Sequence, residues 1–289
     1  MDVAKHPKLK IRGVLKFHFS TPDENPKKSI RELIKMNDMQ DIIQIYEIQT
    51  PSEAETMLEL GVDHIGSVIL SQESWKVSSI RETIKLVAET DSQTTLIPLF
   101  SNPDAVFRAL DYYQPDIVHF CEALTNQNGD ISENCNDLTD LQEGVRKRFP
   151  GFNIMRAIPI AQPGMADASS VIELARMFEP VSDYFLTDTV LTKEVEPFPG
   201  QPGGFIGITG QTCDWDVAKE LVEFSNIPVI LAGGLSPDNV ADGIRHTLPA
   251  GVDSCTATNA LDGKGQPIRF KKDIEKVRRF VEAARNLEL

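Results

Sequence analysis

An α/β chain closed into a single (β/α)8 barrel is the fold this sequence predicts, and three observations carry the prediction. From about residue 40 onward, short β-branched runs alternate with amphipathic helical stretches, and the number of such runs is eight. The turn after the first run, EIQTPS, contains no glycine. Eight strands each followed by a helix close on themselves. An open doubly wound sheet instead has about five or six strands and opens on a glycine-rich turn.

The predicted strands are IIQIYEI (42–48), HIGSVI (64–69), TLIPLF (95–100), DIVHFC (116–121), NIMRAI (153–158), DYFLTD (183–188), IPVILA (227–232) and GVDSC (251–255). Each is rich in Val, Ile, Leu or Phe and bounded by Gly, Pro or Asp, as buried parallel strands are. Between them lie helical patterns such as PSEAETMLELG, SSIRETIKLVAET, NPDAVFRALDYY, DASSVIELARMF, DWDVAKELVEFS and SPDNVADGIRHTL. Several open on a capping residue: Ser52 or Thr50, Asp214, and Ser236 with Pro237 at the first helical position. Residues 39–289 thus form the barrel and 1–38 an N-terminal extension. In the extension KIRGVLKFHF reads as an extra strand and KKSIRELIK as an extra helix.

Composition narrows the function classes. A formal net charge of −14 on 289 residues argues against a nucleic-acid surface or a polybasic membrane patch, since both select for Lys and Arg. No apolar run approaches the roughly 18 residues of a membrane span, and the N-terminus MDVAKHPKLK has no signal-type core. Four scattered cysteines without a CxxC pair fit neither a disulfide framework nor a zinc knuckle. The expectation is a cytoplasmic enzyme-like barrel with no cofactor; the sequence leaves room for a homo-oligomer.

In a barrel, the loops after the strands form the functional face. The connection from Asp188 to Trp215 is the longest and is rich in Pro and Gly, which suits a lid as well as a passive insertion. Two shorter segments carry sharper chemistry. Gly233 and Gly234 follow the seventh strand, where paired glycines let backbone N–H groups approach a ligand. Thr256 and Ala257 follow the eighth, where a short helix could open onto an anion. Loops seven and eight are the recurring phosphate position of this fold, so a phosphorylated small molecule is the expected partner.

In these segments the sequence resembles the phosphoribosylanthranilate isomerase family of tryptophan biosynthesis. PVILAGGLSPDNVADGIR, GVDSCTATN and KDIEKVRRFVEAAR are similar to its C-terminal third. DYFLTDT followed by GITGQTCDW is similar to the family's "LLDT … GGTGKTFDW", and LELGVDHIGSVI to "GADAIGFVF". Weaker echoes occur at SNPDAVFRAL and MRAI. The resemblance covers 42–285 and implies a TIM barrel that converts an aldose amine to a ketose amine by an Amadori rearrangement. Such chemistry needs an acid for the ring oxygen and a base for the C2 proton. The resemblance assigns the acid to Asp188.

The departures are as specific. The family's catalytic cysteine position is Tyr46, with Glu47 at the glycine after it, and no cysteine precedes Cys121. Tyr46 is a poor base at neutral pH. Glu47 is a chemically sound substitute, but strand alternation points it away from the interior unless the register shifts. The family's carboxylate-binding arginine falls on Trp75, with Lys76 beside it. Its "GKTFDW" lysine is Gln211, and His119 and Cys121 replace the polar pair ending the fourth strand. Three alternatives therefore stand beside the isomerase: a sugar-phosphate epimerase or lyase, a metal enzyme using Glu47, His119 and Asp188, and a non-catalytic binding barrel. A Schiff-base aldolase is disfavoured because the strands contain no lysine.

Overall fold

The computed structural model describes residues 42–126, 129–191, 204–207 and 209–287. The extension expected over 1–38 and the centre of the long connection, 192–203, lie outside them. Eight parallel strands close in sequential order into a barrel. They are β1 (Ile42–Ile45), β2 (His64–Ile69), β3 (Gln93–Pro98), β4 (Ile117–Phe120), β5 (Asn153–Ala161), β6 (Tyr184–Val190), β7 (Val229–Leu231) and β8 (Gly251–Ser254). All eight sequence-derived strands are present, with ends displaced by a few residues. Closure runs through β1 and β8, where Ile42 faces Gly251 and Gln44 faces Asp253. A Cβ on Gly251 would lie 2.5 Å from Ile42 Cβ, so only glycine permits that seam.

The helices are α1 (Pro51–Glu59), α2 (Ser78–Val87), α3 (Pro103–Tyr113), α4 (Cys135–Arg148), α5 (Ala168–Phe178), α6 (Trp215–Phe224), α7 (Val240–Thr247) and α8 (Ile274–Arg285). Thr50 rather than Ser52 caps α1, in a reciprocal box with Glu53, and Asp214 caps α6 as expected. Ser236 does not start α7. It opens a turn in which its N–H donates to Asn239 Oδ1 at 2.7 Å, and the regular helix begins only at Val240.

Strand alternation divides the apolar residues. Ile43, Ile45 and Ile65 point outward against helix residues such as Met57 of α1, Leu221 of α6 and Phe280 of α8. Inside the barrel, Ile117, Met155, Leu186 and Ile230 fill the lower layer. The upper layer contains Tyr46, Val68, Ile97, Leu99 and Cys121.

One element has no counterpart in the sequence reading. Between β8 and α8, a 3-10 turn (Thr256–Thr258) leads into an antiparallel hairpin, β9 (Asn259–Leu261) with β10 (Pro267–Lys272). This hairpin supplies part of the wall described next.

Candidate active site

The upper end of the barrel opens into a cleft of about 790 Å³, counting the part open to solvent. Each of its walls follows from an identifiable local feature. Asp188 ends the inward-facing series Tyr184, Leu186, Asp188 of β6, and its Oδ1 accepts from Thr189 N–H at 2.8 Å. Gly207, from the described part of the long connection, lies over it; a Cβ there would be 2.7 Å from Asp188 Oδ2. Burial pushes the Asp188 carboxyl up to about 7.

A second carboxylate, Asp253, lines the same cleft and is buried. The sequence reading placed it in the eighth strand without assigning it a role. The β1–β8 register sets Gln44 beside it, and Gln44 Nε2 donates to Asp253 Oδ1 at 3.1 Å. The other end of the Gln44 amide contacts His64 Nδ1 at 3.2 Å. A short polar chain below the cleft thereby orients Asp253. Burial raises its pKa to about 7, the nearby Asp188 acts in the same direction, and Gln44 and Lys272 oppose the rise.

Neither substitute base proposed from the sequence has suitable surroundings. Tyr46 faces the cleft, its ring lying flat over Gly66, where a Cβ would be 2.2 Å from Cδ1. Its hydroxyl and His119 Nδ1 are 2.6 Å apart. Burial drives the phenol well above its ordinary value and the imidazole down to about 3, so both are neutral at pH 7. His119 Nε2 is buried with no partner among the described residues.

Glu47 adopts a left-handed backbone conformation, φ 65°. That turn corrects the expectation from simple alternation: the carboxylate swings to the cleft wall instead of facing a helix. There Oε1 accepts from Arg269 Nε at 2.6 Å, and Oε2 accepts from Phe270 N–H at 3.1 Å and Asn259 Nδ2 at 3.2 Å. Burial alone would raise its pKa, but Arg269, Lys272 and the hydrogen bonds outweigh it and hold the pKa below the usual value. An ionised carboxylate with its oxygens so engaged has little proton affinity at neutral pH.

Gly233 and Gly234 line the cleft with φ 88° and 61°. Their necessity is partly internal. A Cβ on Gly233 would be 2.3 Å from Thr189 Oγ1, and one on Gly234 would be 2.5 Å from the Gln211 carbonyl carbon. Thr256 and Ala257 join the same wall. The helix expected there is a turn of three residues, too short to contribute the dipole of a full helix. Lys272 straps the turn from beneath, donating to Cys255 O at 2.8 Å and Asn259 Oδ1 at 2.6 Å.

The remaining expectations divide. His119 and Cys121 line the cleft. Trp75 and Lys76 do not: Trp75 packs edge-on against Tyr112 and Tyr113 of α3, and the Lys76 ammonium lies 5.0 Å over the indole. Gln211 contributes its carbonyl, which accepts from Thr189 Oγ1 at 2.7 Å, while the residue itself is exposed outside the cleft lining. Glu47, His119 and Asp188 assemble no metal-type cluster among the described residues. In place of Trp75 and Lys76, the cation on the cleft wall is Arg269, delivered by the hairpin. The signal for it lay in NALDGKGQPIRF, where apolar residues flank a Gly-rich turn.

Fold and site together define the class: a (β/α)8 barrel whose cleft holds two carboxylates of raised pKa beside a glycine-paired seventh loop and a small-residue eighth loop. Among families, the model described as N-(5'-phosphoribosyl)anthranilate (PRA) isomerase matches residues 152–283. An N-(5'-phosphoribosyl)anthranilate isomerase of Methanocella arvoryzae is 35% identical over 146 residues, covering 50% of this chain and 57% of the relative. One from Erythrobacter litoralis is 29% identical over 248 residues, covering 85% and 99%. In the first, the match spans little more than half the relative's length. A solved phosphoribosyl anthranilate isomerase in complex with reduced 1-(o-carboxyphenylamino)-1-deoxyribulose 5-phosphate superposes with TM-score 0.57 at 18% identity, covering 85% of this chain and 99% of that one. The chain is thus similar to phosphoribosylanthranilate isomerases, most specifically over its C-terminal half. Among the described residues no helix is long and apolar enough to cross a membrane.

Proposed function

We propose that this barrel isomerises a phosphoribosyl amine by an Amadori-type rearrangement, with Asp188 as acid and Asp253 as base. The observation that carries the reading is the pair of carboxylates sharing one cleft, Asp253 buried and Asp188 half-buried, both raised to about 7. Two interacting carboxyls titrating there supply one protonated and one ionised group near neutral pH. Gln44 and Lys272 favour ionised Asp253, which suits it to take the C2 proton. Asp188, enclosed by Gly207 and accepting a hydrogen bond from Thr189 N–H, is the better proton donor to the ring oxygen. The phosphate lies against the amides of Gly233, Gly234 and the Thr256–Ala257 turn. The related enzyme that holds a carboxyphenylamino deoxyribulose 5-phosphate supports both the phosphate and the ribulose skeleton.

The test is turnover of freshly generated phosphoribosylanthranilate, followed by loss of its fluorescence. Wild type turns over, and Asp188→Asn loses on the order of a hundredfold or more in kcat. An Asp188→Asn variant with unaltered kcat removes Asp188 from the mechanism. A second reading rests on Tyr46, whose neutral pair with His119 fills the position of the lost base: a barrel that binds sugar phosphates without converting them. It predicts ligand-induced thermal stabilisation with no turnover by the wild type.

A further inference from the structure

The hairpin between β8 and α8 sets the Arg269 guanidinium against the Glu47 carboxylate on the cleft wall, where the proposed chemistry has no use for either as acid or base. Four non-glycine residues with left-handed φ occur among the described residues. Gln114 and Leu248 are helix C-caps, where that conformation is routine. The other two, Glu47 (φ 65°) and Phe270 (φ 58°), meet each other through the bond from Phe270 N–H to Glu47 Oε2. Strain of this kind persists where surrounding contacts over-determine the backbone, and it concentrates at ligand clamps. What the two strained residues hold between them is Arg269. Its Nε donates to Glu47 Oε1, and its Cζ lies 4.6 Å from the centre of the Phe270 ring.

We propose that Arg269 is the charged contact for the substrate's phosphate, with Glu47 as the residue that positions its guanidinium. The inference rests on the phosphate site proposed above and deepens it. Arg269 belongs to the same connection as Thr256 and Ala257 and lines the same cleft. The bond to Glu47 is made through Nε, one of five N–H donors of a guanidinium. A carboxylate on Nε fixes the plane of the fork, which reduces the ordering needed when an oxyanion binds. The charge is also needed, because the Thr256–Thr258 turn is too short to act as a helix terminus toward an anion. Lys272, buried beneath that turn, adds a second cation beside the Glu47 and Asp253 carboxylates at this end of the cleft.

Titration calorimetry of the full chain with inorganic phosphate, and separately with anthranilate, tests this. The variants are Arg269→Lys, Glu47→Gly, and the double variant Glu47→Gly/Arg269→Gln. The double variant removes the buried ion pair as a unit and gives the left-handed position its natural residue, so it keeps its fold by circular dichroism. Phosphate affinity falls on the order of tenfold or more in the double variant, less in Arg269→Lys and least in Glu47→Gly, while anthranilate binding is unchanged. A folded double variant that binds phosphate like wild type overturns the proposal and leaves Arg269 a structural partner of Glu47. Loss confined to anthranilate also overturns it, assigning Arg269 to a carboxylate instead. A wild type that binds no phosphate overturns both this inference and the phosphate site beneath it.

Discussion

Asp188 and Asp253 have a consequence that does not depend on substrate. Each carboxyl ionises in the unfolded chain near its ordinary value of 3.8 and in the folded cleft near 7. The folded state therefore binds more protons between those values, and the stability contributed by each group is complete below about pH 4 and lost as pH rises through 7. Replacing either by Asn removes a penalty that builds from about pH 4 and is complete above about pH 7. Thermal unfolding of Asp253→Asn is expected to match wild type at pH 4 and to exceed it by roughly 4–8 °C at pH 8. Equal offsets at the two pH values would show that Asp253 is not titrating in this range.

Residue-level legibility followed the physics of each position. The place of Asp188 in the cleft was readable because it lies near the end of an apolar strand run. Glu47 misled because alternation assumes extended backbone, and the chain here turns left-handed at a position where the family carries glycine. That glycine was the available signal. Asp253 could have been found by extending the inward series of the eighth strand. Trp75 and Lys76 were placed by correspondence alone, and the aromatic faces of Tyr112 and Tyr113 capture them instead.

At the scale of elements, the strand-end loops work as a set. The Gln211–Thr212 backbone presses on Gly234, Thr189 presses on Gly233, and Ser254 Oγ donates to Leu235 O at 2.8 Å, tying the eighth strand to the seventh loop. Gly233→Ala forces a methyl group to within 2.3 Å of Thr189 Oγ1 at a left-handed φ. The expected cost is about 1–3 kcal/mol, read as a lowered urea midpoint with an unchanged slope. Phosphate affinity falls with it, since the amides move. An unchanged midpoint would mean that the sixth and seventh loops separate easily. The hairpin stayed hidden in the sequence because LDGKGQ sits in a stretch that otherwise reads as the approach to the last helix.

For the whole molecule, the barrel was legible in full because its evidence is repeated: eight apolar runs, each with its helix, allow few other closures. The chemistry was less legible because it depends on single side chains whose directions are set by long-range register. Gln44 meets Asp253 across the β1–β8 seam, 209 positions apart in the chain. Glu47 meets Arg269 across 222. No local pattern encodes such meetings. The result is a barrel whose cleft combines the paired glycines of the seventh loop, two carboxylates with raised pKa, and a tyrosine set against a buried histidine.

The central claim is that proton transfer passes through that carboxylate pair. The measurement that tests it most directly is single-turnover conversion of phosphoribosylanthranilate by wild type, Asp253→Asn and Tyr46→Phe at pH 7. The account predicts that Asp253→Asn slows the chemical step on the order of a hundredfold or more, whereas Tyr46→Phe, which keeps the ring over Gly66, changes it by less than about tenfold. Full activity in Asp253→Asn together with collapse in Tyr46→Phe would contradict it and assign the base to the Tyr46–His119 pair.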